Sequence, residues 1–527
     1  MDSITFKNFR QFKDETTFEL KNINILVGKN NSGKSTLTKG LRLYLYNIKN
    51  LELRFSDNIF SYRPFFLFGG DALDNPHIGT FGRALSQGTD DDFIYFSVRL
   101  DHLIIETKVS RYSVHSKNKD GSLVDFYDKT SAPITQIIIF NRDLDARFTF
   151  DFEKEHQLIE FNVNGKGQYY KKWETEIRQI EENPDKCRLL KNGKKFYSWS
   201  SDEKRVDTLR HCIAFESLEN VKMGYKLWPS HFEGNLYSAL CDGALQNLWD
   251  ISIEQEDFKR KSPKLYKTLS DDNFHDYYVR EILVQTRNDI NKAIYNNAIV
   301  YIEAHSVTRS LVYNVSDKND YMAQTILGYM NENINTDDPE KEFIEDWMMK
   351  FEIGEGFEIE SIGGECYKLG IIEDVDHPEN ITPLLDKGVG SNQIMILLLQ
   401  LATIMHKNRG AAIPPLVIIE EPEQNLHPKL QSCLADLFRE VYMFPQKENK
   451  NSKGISFIIE THSEYLVRKS QVLVAKRAQI ETIPFSVFYM EKGKEPREIR
   501  YQDSGVFYDD FGEGFYDEAI SLTEEIV

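Results

Sequence analysis

One stretch restricts the fold of this chain more than any other. From Asn22 to Thr36 it reads NINILVGKNNSGKST, with Gly28, four residues, then Gly33, Lys34 and Ser35. Glycines at 28 and 33 let the backbone curl until successive N–H groups point at one place, an arrangement that suits phosphate oxygens. Lys34 adds a mobile positive charge, and Ser35 a hydroxyl of the kind that ligates Mg²⁺. The flanks agree. Ile23, Ile25, Leu26 and Val27 form an apolar run typical of a buried strand, and Leu37, Leu41, Leu45 and Ile48 recur at helical spacing. The stretch predicts strand, phosphate loop and helix, with Gly28, Asn30, Asn31, Ser32, Gly33, Lys34, Ser35 and Thr36 around a nucleotide. A chance glycine turn is the bland alternative, and the matching flanks weigh against it.

Composition bounds the rest. The 527 residues suffice for two or three domains, and 41% hydrophobic with 28% charged residues is ordinary for a globular protein. No apolar run suggests a membrane span, and Met1 leads into a strand-like segment, so a cytoplasmic protein is expected. Five cysteines stand singly, without the spacing of a zinc site or a disulfide framework. A net charge of −19 means that contact with nucleic acid would need a local basic face.

A phosphate loop also needs groups that handle a cation and a water. PPLVIIEEPEQNLHP, from Pro414, holds an apolar strand over Leu416 to Ile419 that ends in Glu420 and Glu421. Carboxylates at the carboxyl end of a buried strand lie where open α/β sheets bind ligands. Glu420 is expected at the Mg²⁺ with Ser35, and Glu421 as the base that polarises water. ISFIIETHSEYL, from Ile455, repeats the pattern: a strand ends in Glu460, Thr461, His462 and Ser463. His462 is expected to reach a γ-phosphate; alone, such a histidine is more often structural. Between the two halves, Gly388, Gly390 and Ser391 in LLDKGVGSNQ precede an apolar helix expected from Ile394. That is a second anion cradle. One chain has no use for two around one nucleotide, so a head-to-tail homodimer or higher oligomer is expected, each cradle closing over a partner's nucleotide.

In order and content these segments resemble the ABC-type ATPase heads of the RecF, SMC and OLD group. GKNNSGKST is similar to their Walker A, LDKGVGSNQ to their signature loop, VIIEEPEQNLHP to their Walker B and D-loop, and IIETHSEYLV to their histidine switch. The resemblance implies an α/β head of mixed or parallel sheet with flanking helices and an inserted mixed α/β or helical subdomain. It implies ATP and Mg²⁺ as ligands. It places Arg10 of NFRQF near the nucleotide, and makes Gln87 of GRALSQG the candidate Q-loop residue at the metal. Glu420 stands where most such heads carry Asp, and the signature lacks a Ser before its first glycine. The segment YIEAHSVTRSLVY and the tail VFYMEKG…FYDDFGEGFYDEA further resemble bacterial AAA proteins with a DUF3696 C-terminus. Septu-type and retron-associated antiphage ATPases paired with an HNH nuclease belong to that company. By analogy a separate nuclease or toxin would be the effector.

The expected division is 1–110 for the first half of the head, 111–300 for its remainder and an insertion, 301–490 for the second half, and 491–527 for an acidic cap. Heptads that would mark long coiled arms are not found. Asp276 to Asn297 reads as an amphipathic helix. From Lys171 to Lys195, eight basic residues interleave with Tyr169, Tyr170, Trp173 and Phe196. This region is a candidate nucleic-acid grip, although neighbouring glutamates also allow a plain solvated face. KRKSPK, at Lys259 to Lys264, is a weaker candidate. Tyr501 to Val527 holds eight acids, no Lys or Arg, and six aromatics, a pattern of a packed cap rather than a disordered tail. Three readings follow: an ATPase sensor or gate with a separate effector, a RecF-like DNA-repair ATPase, and a self-contained OLD-type nuclease. The last needs a carboxylate-rich Toprim domain, for which too few residues follow His462.

Overall fold

In the computed structural model, residues 1–50, 52–56, 61–69, 78–111, 114–117, 123–126, 130–152, 156–163, 175, 178, 218–226, 252–253, 285–293, 299–303, 309–411, 414–448, 454–476, 484–512 and 514–526 are described. The protein is α/β, with mixed sheets and flanking helices. It comprises two compact units. One is Met1–Glu19 with Lys39–Tyr295; the other is Leu20–Thr38 with Asn296–Val527.

Among the described residues, the first unit is built on an antiparallel sheet of eleven strands, two of them, Glu52–Ser56 and Ser61–Leu67, branching from Ser131–Asn141 off the main path. Its path runs from Ser252–Ile253 through Leu218–Lys226, His156–Val163, Ala146–Asp151, Ser131–Asn141, Leu103–Ser110, Phe93–Leu100 and Ser3–Lys7 to Thr16–Glu19. Leu103–Ser110 alternates buried and half-exposed residues along its whole length, as a sheet with one covered face requires. The covered face is aromatic. Phe96 stacks on Tyr44 and Phe66 at 5.1 Å each, and lies 5.9 and 5.3 Å from Phe6 and Phe9. Gly40 is required there, since a Cβ would come within 2.7 Å of both Phe6 and Phe9. Residues 285–293 are helical, within the segment expected to be a helix. Asn141 ties this helix to the sheet, donating to Asp289 at 3.2 Å.

The second unit has a six-stranded sheet in the order Ile299–Ile302, Leu416–Glu420, Ser456–Glu460, Ile23–Gly28, Phe485–Met490, Arg497–Ile499. The first five strands are parallel and the last is an antiparallel edge. Apart from Asn24, Ser456, Ser486 and the terminal glutamates, the three strands that carry site residues and Phe485–Met490 are apolar and almost wholly buried. A parallel sheet covered on both faces demands such a composition. The helix Val389–Lys407 is long and apolar enough to cross a membrane by length and composition. Eleven of its residues are buried instead, ten of them in the hydrophobic core of this unit. Where it ends, Arg409 donates to the fully buried Glu340 at 2.8 Å and to Asp338 at 3.2 Å. Those acids open the helix Pro339–Lys350, so the end of one helix is clamped to the start of another.

Candidate nucleotide site

Gly28 and Gly33 both take positive φ, +145° and +106°, and Asn31 joins them at +58°. These torsions curl the chain between the strand Ile23–Gly28 and the helix that opens at Lys34. Gly28 also permits close approach: a Cβ there would lie 2.1 Å from the Met490 carbonyl oxygen. Lys34 is buried, and its ammonium donates to the carbonyls of Gly28 at 2.8 Å and Lys29 at 3.2 Å. Burial holds its pKa below the usual lysine range, opposed by the charges of Glu460, Glu421 and Glu423. Asn30, Asn31 and Ser35 are exposed, Thr36 is half-buried, and Ser32 is buried.

The acidic strand ends arrive as expected, and Cα pairing sets Glu420 beside Glu460 and Glu460 beside Leu26. One carboxylate oxygen of Glu420 is buried without a hydrogen-bond partner, as suits a cation ligand. Glu421 turns out of the strand with φ +43°, a strained conformation for a non-glycine residue. Its N–H donates to the Glu460 carbonyl at 2.8 Å, and its carboxylate accepts from Gln424. His462 Nε2 lies 3.9 Å from Glu421 Oε1. Burial first, and the Lys34 charge second, hold His462 below the ordinary histidine pKa, so the neutral ring is favoured at neutral pH.

Two further carboxylates belong to the site. Glu460 is 3% exposed and accepts from the Ser35 hydroxyl at 2.8 Å and from the Thr38 hydroxyl. Burial, reinforced by the charge of Glu420, pushes its pKa up to about 7. Glu423 is 7% exposed and accepts the His462 N–H at 2.7 Å, fastening the histidine loop to the acidic loop. Burial raises its pKa. The sequence shows both glutamates but not their partners. The signal that finds Glu460 is the matched end of two adjacent strands, each closing on a glutamate.

Gly388, Gly390 and Ser391 differ from expectation in one respect. The helix begins at Val389 rather than Ile394, so Gly390 and Ser391 form its first turn and Gly388 is the N-cap. Asn392 makes this early start possible, its side chain donating to the carbonyls of Leu384 and Gly388 at 3.0 Å each. Gly390 packs so closely on the acidic loop that a Cβ would lie 2.6 Å from the Asn425 carbonyl oxygen. These three residues line a cleft of about 160 Å³ with Asn425, Leu426 and His427.

Arg10 and Gln87 belong to the first unit. Arg10 sits in a turn at φ +50°, its N–H donating to the Ala84 carbonyl at 2.7 Å. Its pKa is lowered by burial and then by Arg83. Gln87 is exposed in a turn. The basic run Lys171–Lys195 lies outside the described residues except for Thr175 and Arg178, and Lys259–Lys264 lies wholly outside them.

A phosphate loop opening a helix, beside acidic ends of neighbouring parallel strands, defines a nucleotide-binding α/β protein of the phosphate-loop class. The AAA ATPase domain family matches residues 1–467, and the chain belongs to that family. Membership implies the use of ATP. No curated protein matches the chain. Among solved structures it is similar to the SMC head domain from Thermotoga maritima, at 9% identity over 95% of this chain and 98% of that one, with a TM-score of 0.30. It is also similar to the recombination mediator RecF bound to ATP, at 10% identity over 94% and 98%, with a TM-score of 0.27. Scores this far below 0.5 do not define a shared architecture.

Proposed function

We propose that this protein is an ABC-type ATPase that binds ATP with Mg²⁺ and hydrolyses it slowly. The observation that carries this reading is the gathering of Lys34, Ser35, Glu420, Glu421, Glu460 and His462 at neighbouring strand and loop ends of one parallel sheet. Lys34 faces the β and γ phosphates. Ser35 and the unpartnered oxygen of Glu420 would hold an oxygen-preferring cation. Mg²⁺ there would neutralise phosphate charge. Glu421, held out of the strand by its left-handed backbone, accepts a proton from the attacking water, and neutral His462 donates toward the γ-phosphate. In this proposal two heads pair head-to-tail, with Gly388, Gly390 and Ser391 closing on the partner's nucleotide. Replacing Glu421 by Gln keeps the shape and removes the base. The expected result is retained ATP affinity, hydrolysis slowed at least a hundredfold, and a nucleotide-trapped dimer in size-exclusion chromatography. Loss of ATP binding itself would assign Glu421 a structural role.

For the output we propose a sensor or gate that holds or releases a separate nuclease or toxin, as in the antiphage systems this sequence resembles. Support comes from the C-terminal region, whose residues serve no step of ATP chemistry. Phe507, Phe511, Phe515 and Tyr516 pack ring on ring, with Phe511 and Phe515 also beside Tyr489. In this reading the exposed Asp503, Asp510, Asp517 and Glu518 would meet a basic partner. Expression of the chain alone, then with its genomic neighbours, tests the division of labour. Cleavage of DNA or RNA by the pure protein would overturn it, and stimulation of ATP hydrolysis by duplex DNA alone would favour the DNA-repair reading.

A further inference from the structure

The carboxylate of Glu460, at the end of its strand, is committed to the phosphate-loop helix. Its two oxygens take different hydroxyls. Oε2 accepts from Ser35 at 2.8 Å, and Oε1 accepts from Thr38, three residues further along the same helix. Residues three apart share a helix face, so one carboxylate spans the first turn like a two-pronged clamp. The clamp is fixed from behind. The Glu460 carbonyl accepts the Glu421 N–H at 2.8 Å, and the next residue, Thr461, donates to the Leu26 carbonyl at 3.0 Å. The glutamate thus joins the strand before the phosphate loop, the acidic loop and the helix that follows.

A serine hydroxyl has one proton and two lone pairs. While that proton is held by Glu460, Ser35 can act only as an acceptor toward anything on its open side. We propose that Glu460 is a positioning residue that takes the protons of Ser35 and Thr38, so that the Ser35 oxygen presents lone pairs to a divalent cation shared with Glu420. This rests on reading the phosphate loop as the nucleotide site. It adds that the ligand geometry is set from the strand after the one that bears Glu420. Glutamine cannot replace the clamp. Its amide has one acceptor oxygen and one donor nitrogen, so one of the two hydroxyls must turn its proton elsewhere.

The test is calorimetric titration of the full-length protein with ATP, in EDTA and again in excess Mg²⁺. For Glu460→Gln, the gain in affinity that Mg²⁺ confers over EDTA should shrink about tenfold relative to wild type. Ser35→Ala should lose the same gain, and the double variant should be no worse than Ser35→Ala, because Glu460 acts through Ser35. Should Glu460→Gln fail to fold, Thr38→Val removes one prong at nearly constant volume and should cut the gain about threefold. A Mg²⁺ gain unchanged in Glu460→Gln, or in Thr38→Val where that is the variant measured, overturns the proposal and leaves the nucleotide site standing. So do additive losses in the double variant. Wild-type protein that binds no ATP in either buffer overturns the nucleotide reading itself.

Discussion

The two units solve the same problem, covering a large sheet, in opposite ways. In the first, antiparallel strands return through hairpins, and the covered face is filled with Phe6, Phe9, Phe66, Phe96 and Tyr44. In the second, parallel strands all end on the same side, so whatever follows each strand is delivered to one rim. Gly28, Glu420 and Glu460 are three such endings. An antiparallel sheet sends successive strand ends to opposite rims and gathers nothing comparable. The second unit's topology thus gathers strand termini at one rim, and burial perturbs the groups gathered there.

If that contrast holds, packing changes in the first unit and charge changes in the second should have separable effects. The largest is expected for Phe96→Ala. Phe96 is fully buried among four other rings, and truncating such a side chain costs about 3–5 kcal/mol of stability. Urea unfolding should show it, with two transitions resolved if the units unfold independently. The next effect is on binding rather than folding. If the proposed nucleotide site is right, Lys34→Ala removes the charge that meets the phosphates, a loss of about 3 kcal/mol or roughly a hundredfold in ATP affinity. Among the described residues its hydrogen bonds run to two backbone carbonyls, those of Gly28 and Lys29, so stability should move far less than in Phe96→Ala. If Lys34→Ala unfolded the protein as readily, the lysine would be a structural plug, and the division between packing and chemistry would break.

How much of this was legible follows the same divide. The phosphate loop, both acidic strands and the histidine loop are local patterns, and each is found at the expected strand or helix boundary. Their assembly also follows from the sequence, because fully apolar strands have few places to go other than a parallel sheet. What one strand's pattern omits is its neighbour. The clamp from Glu460 to Ser35 spans 425 residues, and the register that makes it exists only in the folded sheet. The start of the helix at Val389 was hidden because Gly390 and Ser391 are poor helix formers, overridden here by Asn392 and by packing on Asn425. The first unit was the least legible. Its sheet pairing joins segments far apart in the chain, which no local pattern shows.

The smallest expected effect turns on a part-buried charged cluster of the first unit, centred on His102. His102 Nε2 lies 3.1 Å from Asp289, and its Nδ1 lies 3.5 and 3.9 Å from Asp101 and Asp143. Bonding to Asp289 first raises the histidine pKa, burial opposes this, and the charges of Asp289, Asp143 and Asp101 support it. A histidine with a raised folded pKa contributes stability that is complete below its unfolded pKa of about 6.5. That contribution fades as pH climbs through the higher folded value. Wild type should therefore exceed His102→Gln in stability at pH 5.5 by on the order of 1 kcal/mol, the scale of a part-exposed ion pair, and the gap should narrow steadily toward pH 8.5. The raised pKa of Glu460 also makes stability fall as pH rises between about 4.5 and 7. It is common to both proteins and cancels in the difference. A gap that stayed constant with pH would mean that His102 acts through neutral hydrogen bonding and shape alone. The first unit would then be held by packing without electrostatic support, and the contrast with the second would sharpen rather than blur.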